Sequence, residues 1–227
     1  MKNIIIIGGS KGIGKEILLQ QLKSNRVYNI SRSETDVTDP NLIHFSLDVL
    51  TNELPDIDNV DVLIYCPGSI TLKPISGLSI ADFRNDFEIN VIGAVKTIQK
   101  YLPVLKRGNT PSIVLFSTVA AKLGMPFHAS IATAKAGVEG LVKSLGAELA
   151  PVVRVNAIAP TITETSLSAS ILRNDRMKEN MVERHPMKSY LKPDEVAHMV
   201  DFLISEKANS ISGQIFEMDY GLVTFKL

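Results

Sequence analysis

"IIIIGGSKGIGKEI", residues 4–17, is the stretch that decides the fold. Its four consecutive isoleucines predict a strand covered on both faces, because apolar runs without alternation are typical of parallel strands in α/β proteins. The strand breaks at Gly8 and Gly9, and a helix opens at residues 12–14. Glycines let the backbone approach a pyrophosphate, which then lies on the free amides of the helix N-terminus. The stretch therefore predicts a dinucleotide site, although an ordinary strand–helix connection can also be rich in glycine.

The rest of the chain alternates short β-branched runs with longer amphipathic segments, which is an α/β pattern. The predicted strands are residues 3–7, 26–30, 43–47, 60–65, 112–117, 154–159 and 214–218. The predicted helices are residues 13–24, 80–106, 130–150, 165–183 and 194–205. With 227 residues, 45% of them hydrophobic, the chain fits one large domain, residues 1–227.

Charge and cysteine content narrow the class of protein. The 24 basic and 24 acidic side chains cancel, so the sequence offers no basic footprint for nucleic acid and no polybasic membrane anchor. The only cysteine, Cys66, cannot form an internal disulfide, and the apolar run at the N-terminus is too short for a signal peptide or a spanning helix. We expect a cytoplasmic protein whose partners are small molecules or other subunits, with no metal site.

The glycine spacing G-x-x-x-G-x-G, counted from Gly8, resembles that of the short-chain dehydrogenase/reductase family. Further family-like motifs follow in the same order: "LIYCPG" (63–68), "INVIGAV" (89–95), "IVLFSTVAA" (113–121), "ATAKAGVEGL" (132–141), "VRVNAIAPTITET" (153–165) and "ISGQIFEMDYG" (211–221). In "LIYCPG", residues 65–67 replace the first three residues of the family's N-N-A-G motif. The resemblance covers nearly the whole chain.

The resemblance implies a Rossmann-like, doubly wound and mostly seven-stranded parallel sheet with helices on both faces. It also implies an NADP(H)-dependent oxidoreductase that acts on a carbonyl or alcohol substrate. Cofactor binding is implied at the matching positions Gly8, Ser10, Lys11, Gly12, Ile13, Gly14, Ser31, Arg32, Asp48, Val49, Cys66, Pro67, Gly68, Asn90, Lys135, Pro160, Thr161, Ile162 and Thr165.

The preference for NADP follows from charge at the end of the second strand. NAD-preferring folds usually place an acid there that bonds the ribose 2′-hydroxyl and would repel a 2′-phosphate. This chain has Ser31 in that place, Arg32 next to it and Lys11 in the glycine turn. In the family, basic residues at these two positions mark NADP-preferring members. The alternative is that both are solvated surface cations. By the same resemblance, Asp48 contacts the adenine and Thr165 holds the carboxamide.

The family's catalytic group is a Tyr-x-x-x-Lys pair with an upstream serine and asparagine, and this chain has Asn90, Thr118, Ile131 and Lys135 at those positions. The resemblance implies that asparagine anchors a proton-relay water, serine polarises the carbonyl, and lysine holds the nicotinamide ribose. Thr118 keeps a hydroxyl, but Ile131 cannot exchange a proton. Lys135, on the same helix face as Ile131, can still bind the ribose without a tyrosine.

His128 is the candidate to replace the missing acid. It precedes Ile131 by three positions near the helix start, where the helix dipole disfavours the charged form and leaves an imidazole that can donate a hydrogen bond. Its other interpretation is a histidine that caps or packs. We expect Ser130 to be the N-cap, and Cys66 to be a small buried hydrophobe. Tyr65 is a remote further candidate.

Two classes of function remain open. One is an NADP-dependent reductase of carbonyl compounds, and the other is an NADP(H)-binding pseudoenzyme that serves as a regulatory or structural partner. Residues 161–192 occupy the place of the family's substrate loop, and their mixed composition does not select a substrate. The family commonly forms dimers and tetramers through two long helices, so a homodimer or homotetramer is expected.

Overall fold

The computed structural model describes residues 1–226 and is built on one seven-stranded parallel sheet. The strands are β1 (Asn3–Ile7), β2 (Arg26–Ser31), β3 (Leu42–Ser46), β4 (Val62–Tyr65), β5 (Ser112–Phe116), β6 (Arg154–Pro160) and β7 (Ile215–Met218). Their order across the sheet is β3-β2-β1-β4-β5-β6-β7, and every neighbouring pair is parallel. The predicted Rossmann-like, doubly wound α/β fold is confirmed.

Strand β1 lies at the centre of the molecule and is buried on both faces. Ile5 and Ile7 belong to the hydrophobic core on one face of the sheet, and Ile4 and Ile6 belong to the core on the other face. Successive strand side chains point to opposite faces, so four isoleucines in a row supply two apolar residues to each core. The sequence of β1 therefore requires helices on both faces.

Residues 1–226 contain six α-helices, and four of them pack on the sheet. The six helices are α1 (Gly12–Leu22), α2 (Ile80–Phe87), α3 (Gly93–Leu105), α4 (Ala129–Leu149), α5 (Asp175–Arg184) and α6 (Pro193–Ile204). Side chains of α1 and α6 complete the core on one face, and those of α3 and α4 complete the core on the other. Within residues 1–226, no helix has the length and apolar character needed to cross a bilayer.

The helix predicted over residues 80–106 is interrupted by a π-helical turn, Glu88–Ile92, between α2 and α3. The hydroxyl of Tyr65 donates a hydrogen bond of 2.7 Å to the carbonyl oxygen of Ile89 in this turn. A Cβ atom at Gly93 would lie 2.1 Å from the Tyr65 hydroxyl oxygen, so glycine makes room for the ring. Such π-turns inside α-helices are frequent at functional sites.

The helix predicted over residues 165–183 is wrong in its first half. Residues Ser166–Ser168 form a short 3-10 turn, and α5 begins only after Asn174, whose side chain caps it. The Ser168 hydroxyl donates to the carbonyl oxygen of Thr163 at 2.6 Å. Serine, threonine and asparagine offer the backbone such local bonds in place of a helix, and here those bonds prevail.

The order of the strands reverses between β1 and β4, which are neighbours in the sheet. In open α/β sheets, ligands bind outside the carboxyl ends of the strands at such a switch point. The glycine turn that follows β1 and the loop that follows β4 meet at this edge. A Cβ atom on Gly8 would lie 3.2 Å from the ring of Pro67.

Candidate functional site

The glycine turn after β1 has a backbone that only glycine fits. Gly8 and Gly12 have φ of +79° and +54°, in the left-handed region that glycine enters without strain. A Cβ atom on Gly14 would lie 2.2 Å from the carbonyl oxygen of Gly8. At the start of α1, Lys11 is the N-cap and gives the helix no side-chain hydrogen bond. The first amides of α1 are thus left for an anion such as a pyrophosphate.

A first cavity of about 270 Å³ lies over this turn at the carboxyl edge of the sheet. Most of the predicted cofactor-binding residues line it: Gly8, Ser10, Lys11, Gly12, Ile13, Gly14, Ser31, Arg32, Asp48, Val49, Cys66, Pro67, Gly68 and Thr165. Sequence reasoning missed further lining residues, among them Ser33, Leu47, Leu50 and Ile89. Leu47, Leu50 and Ile89 are apolar, so nothing in the sequence distinguished them from core residues.

Two cations stand at one end of the first cavity. Lys11 and Arg32 are both exposed, and among residues 1–226 neither forms an ion pair with a carboxylate. Ser31, the last residue of β2, precedes Arg32 in the chain. It is buried, and its hydroxyl donates to Asn29 Oδ1 at 3.1 Å. The position expected to carry an acid in an NAD-binding site thus holds a hydroxyl that bonds inward. A phosphate group would meet two uncompensated positive charges here.

A second cavity of about 290 Å³ adjoins the first. The two share five lining residues, Ile13, Cys66, Gly68, Thr165 and Leu167. The second cavity collects the predicted catalytic positions Thr118, His128, Ile131 and Lys135, together with three more predicted cofactor-binding residues, Pro160, Thr161 and Ile162. The fold therefore brings together, from β5, β6 and α4, groups that are far apart in the sequence.

Lys135 is buried, with 8% of its surface exposed. Its ammonium donates a hydrogen bond of 2.8 Å to the carbonyl oxygen of Phe116 at the end of β5. Burial lowers the pKa of Lys135 to about 8, while the nearby Cys66 and Asp86 act in the opposite direction. The lysine is consequently a charged group held in a desolvated wall of the second cavity at neutral pH.

Ile131 lies one turn before Lys135 on α4, is 5% exposed and lines the second cavity. Its aliphatic side chain occupies the position that the resemblance assigns to tyrosine. The cavity wall at this point has no group that can give or take a proton.

His128 is the N-cap residue of α4 and lines the second cavity. Its Nδ1 lies 2.7 Å from the carbonyl oxygen of Pro126, so Nδ1 carries a hydrogen and donates it. Nε2 has no partner among the described residues. The prediction that Ser130 caps this helix is wrong, because Ser130 lies inside the first turn and its hydroxyl donates to Asp86 Oδ2 at 2.6 Å.

Thr118 follows β5 and is half-buried, and its Oγ1 lies 3.5 Å from the carbonyl oxygen of Pro160. The preceding Ser117 is buried, and its hydroxyl donates to Glu139 Oε1 at 2.8 Å on α4. That bond commits Ser117 to the structure. Thr118 has the hydroxyl that remains for a ligand in the second cavity.

Asn90 lines neither cavity but lies directly behind Gly68. Its Nδ2 donates to the carbonyl oxygen of Asp86 at 2.7 Å and to Ser69 Oγ at 3.0 Å. Its Oδ1 is buried and has no partner in the described part of the protein. A Cβ atom on Gly68 would lie 3.5 Å from Asn90 Oδ1 and 3.7 Å from Lys135 Nζ. Asn90 Oδ1 and Lys135 Nζ thus both lie on the side of Gly68 where a side chain would project.

Asp86 is a site residue that sequence reasoning missed. It is fully buried on α2, and its carboxylate accepts hydrogen bonds from Ser69 (2.6 Å), Thr71 (3.1 Å) and Ser130 (2.6 Å). These three hydroxyls come from the loop after β4 and from the start of α4. The carboxylate therefore connects the loop after β4 with the start of α4. The carbonyl oxygen of Asp86 accepts from Asn90 in the π-turn.

The structure also shows the surroundings of Tyr65 and Cys66, two residues of the "LIYCPG" motif. Tyr65 is buried and its hydroxyl bonds the π-turn, and burial raises its pKa, so it is no proton donor at neutral pH. Cys66 is half-buried between the two cavities and packs against the hydrophobic core. Burial raises the pKa of its thiol to about 12, which leaves it a small apolar side chain rather than a thiolate.

Comparisons with known proteins agree with this geometry. A family model described as enoyl-(acyl carrier protein) reductase matches residues 15–223. The 3-oxoacyl-(acyl-carrier-protein) reductase FabG of Aquifex aeolicus is 27% identical over 219 residues, which cover 96% of this chain and 86% of that protein. Aldohexose dehydrogenase of Thermoplasma acidophilum superposes with a TM-score of 0.90 at 27% identity, over 99% of this chain and 95% of that one. An ElxO variant with NADPH bound superposes with a TM-score of 0.87 at 25% identity, over 99% and 100%. The chain belongs to the short-chain dehydrogenase/reductase family of oxidoreductases.

Proposed function

We propose that the protein is an NADP(H)-dependent oxidoreductase that acts on a carbonyl or alcohol substrate, with a degenerate catalytic group in which Thr118 stands at the serine position and Ile131 at the tyrosine position. The observation that carries this proposal is the second cavity, which adjoins the first and holds Thr118, His128 and Lys135 in its wall. Hydride transfer needs a cofactor bound beside a space for the substrate. The two adjoining cavities support this proposal because they offer room for both.

The residues of the first cavity fit a dinucleotide. The uncapped start of α1 and the tight glycine turn suit a pyrophosphate. Lys11 and Arg32 support a 2′-phosphate, and hence NADP over NAD. The preference rests on these charges, since the solved structures most similar to this chain include proteins with either cofactor: ElxO with NADP and 4-hydroxyisoleucine dehydrogenase with NADH.

Each polar group of the second cavity has a role in this proposal. Bound NADPH would supply the hydride. Lys135 holds the ribose hydroxyls, and Thr118 donates a hydrogen bond to the substrate oxygen. His128 exchanges the proton through Nε2, because Nδ1 is fixed on the carbonyl of Pro126. Asn90 is the positioning residue behind Lys135, and its unpartnered Oδ1 suits a relay water.

Ile131 supports a second candidate, an NADP(H)-binding pseudoenzyme that acts as a partner subunit. General acid catalysis is typically worth about 10²- to 10⁴-fold, so its loss slows an enzyme without abolishing hydride transfer. We favour the enzyme because Lys135 and Thr118 both line the second cavity, which adjoins the first.

We further propose that residues 1–227 act as one domain in which residues 161–192 form the substrate wall. Four apolar side chains of that segment, Ile162, Leu167, Ile171 and Met181, line the second cavity. We expect the assembly to be a homodimer or homotetramer, which light scattering of the purified chain would establish.

The test is oxidation of NADPH by the purified chain with a panel of aldehydes, ketones and 3-oxoacyl thioesters, followed by absorbance. We expect turnover with at least one substrate and a marked loss in His128→Ala. If the parent and Ile131→Tyr both bind NADPH tightly and show no turnover on the whole panel, the pseudoenzyme replaces the enzyme as the proposed function.

A further inference from the structure

The charge of the second cavity is one-sided. Most of its lining is apolar, and no aspartate or glutamate takes part in it. The charged side chains that line it are Lys135, deep in the wall, and Arg184, which is exposed. A carbonyl compound that enters this cavity meets apolar surface, hydroxyl and imidazole groups and positive charge, but no carboxylate.

Arg184 is the last residue of α5, and the described part of the protein gives its guanidinium no carboxylate or carbonyl partner. Lysines of the same segment are paired: Lys178 with Glu164 at 3.0 Å, and Lys188 with Glu183 at 2.8 Å. Arg184 therefore keeps its five donors for another acceptor.

The residue after Arg184 fixes this end of the helix against the cavity. His185 is buried, its Nδ1 donates to the carbonyl oxygen of Met181 at 2.6 Å, and its Nε2 lies 2.8 Å from Thr161 Oγ1. These bonds tie the end of α5 to the residue that follows β6. The backbone of Arg184 is thus anchored at the cavity rather than carried on a free loop.

We propose that the substrate is an apolar oxo acid, whose carboxylate is bound by Arg184 at the mouth of the second cavity while its carbonyl lies beside Thr118 and His128. A guanidinium matches a carboxylate with two parallel hydrogen bonds. The apolar lining suits the hydrocarbon between the two groups, and the lack of lining carboxylates removes the repulsion that would exclude an anion. This inference rests on the proposed reductase function.

The test compares linear oxo acids of increasing chain length with their methyl esters, which keep the carbonyl and lose the charge. We expect the parent to reduce the best acid with kcat/KM about 10- to 100-fold above its ester, in the range of a charge-assisted hydrogen bond. The difference should appear mainly in KM. Arg184→Met, which keeps the apolar stem, should lower kcat/KM for the acid to the value for its ester. Arg176→Met on the same helix is the control, because Arg176 is exposed and lines neither cavity.

Calorimetric titration of the same acids and esters into the NADPH-loaded chain separates this inference from the reductase proposal. Acid binding that exceeds ester binding and depends on Arg184, without turnover, would retain the anion site and remove the reductase. Equal binding or equal turnover of acid and ester in the parent would overturn the anion site, whatever the catalytic activity.

Discussion

Replacing Ile131 by tyrosine is the change that best divides an enzyme from a pseudoenzyme. Position 131 lines the second cavity, one helical turn before Lys135. A phenol there would lie on the same helix face as the ammonium, whose charge favours the phenolate and so lowers the phenol pKa toward the working range. Because burial brings the pKa of Lys135 to about 8, we expect this help to be strongest below that pH.

The magnitude follows from two opposing terms. A positioned general acid contributes about 10²- to 10⁴-fold, which is about 3–5 kcal/mol of barrier. Against it, a larger side chain at a packed site costs about 1–3 kcal/mol of stability. Ile131 is 5% exposed, but it borders a cavity of about 290 Å³ that can take up the added ring. We therefore expect a folded variant whose reductase rate rises by about 10²-fold.

Ile131→Phe is the matched control, since it adds the ring without the hydroxyl. Initial rates of NADPH oxidation are compared in the parent, Ile131→Tyr and Ile131→Phe, each with and without His128→Ala. We expect the loss of His128 to slow the parent and to matter little once tyrosine is present. If Ile131→Tyr folds, binds NADPH and is no faster than Ile131→Phe on the whole panel, the reasoning is refuted.

Four further predictions concern the cofactor and the buried charges. The parent should bind NADPH more tightly than NADH, and the difference in affinity should narrow as salt rises. Arg32→Asp should reverse this preference. Equal affinities of the parent for the two cofactors by calorimetry would contradict the charge argument. Lys135→Met should weaken NADPH binding about tenfold or more, while Lys143→Met, at an exposed position of the same helix, should not. Between pH 8 and 10.5 the unfolded chain holds a proton that native Lys135 has lost, so the parent should gain stability with pH relative to Lys135→Met in urea titrations. Asp86→Ala should lower the free energy of unfolding by about 3 kcal/mol or more, at about 1 kcal/mol for each of three hydroxyls left without an acceptor. An effect no larger than that of Asn85→Ala would refute this prediction.

The sheet was predictable from the sequence because burial on both faces demands continuous apolar strands, and such runs are visible residue by residue. The polar network of Asp86 was not predictable in the same way. Its partners Ser69, Thr71 and Ser130 lie 17, 15 and 44 positions away in the chain. The segment around Asp86 is rich in charge and is typical of an exposed helix. Only the fold brings these hydroxyls onto one carboxylate.

The structure gives a physical reason for a lysine at position 135 in a chain whose position 131 is not tyrosine. Removing Lys135 from water disfavours its charge, as the lowered pKa shows. Its ammonium has three donors, and the described residues offer one acceptor, the carbonyl of Phe116. A lysine kept for folding alone would have its donors satisfied or would reach solvent, since a buried charge with spare donors costs stability. In the proposed function, ribose hydroxyls would satisfy those donors when a dinucleotide binds, which gives Lys135 a role that does not need a tyrosine at position 131.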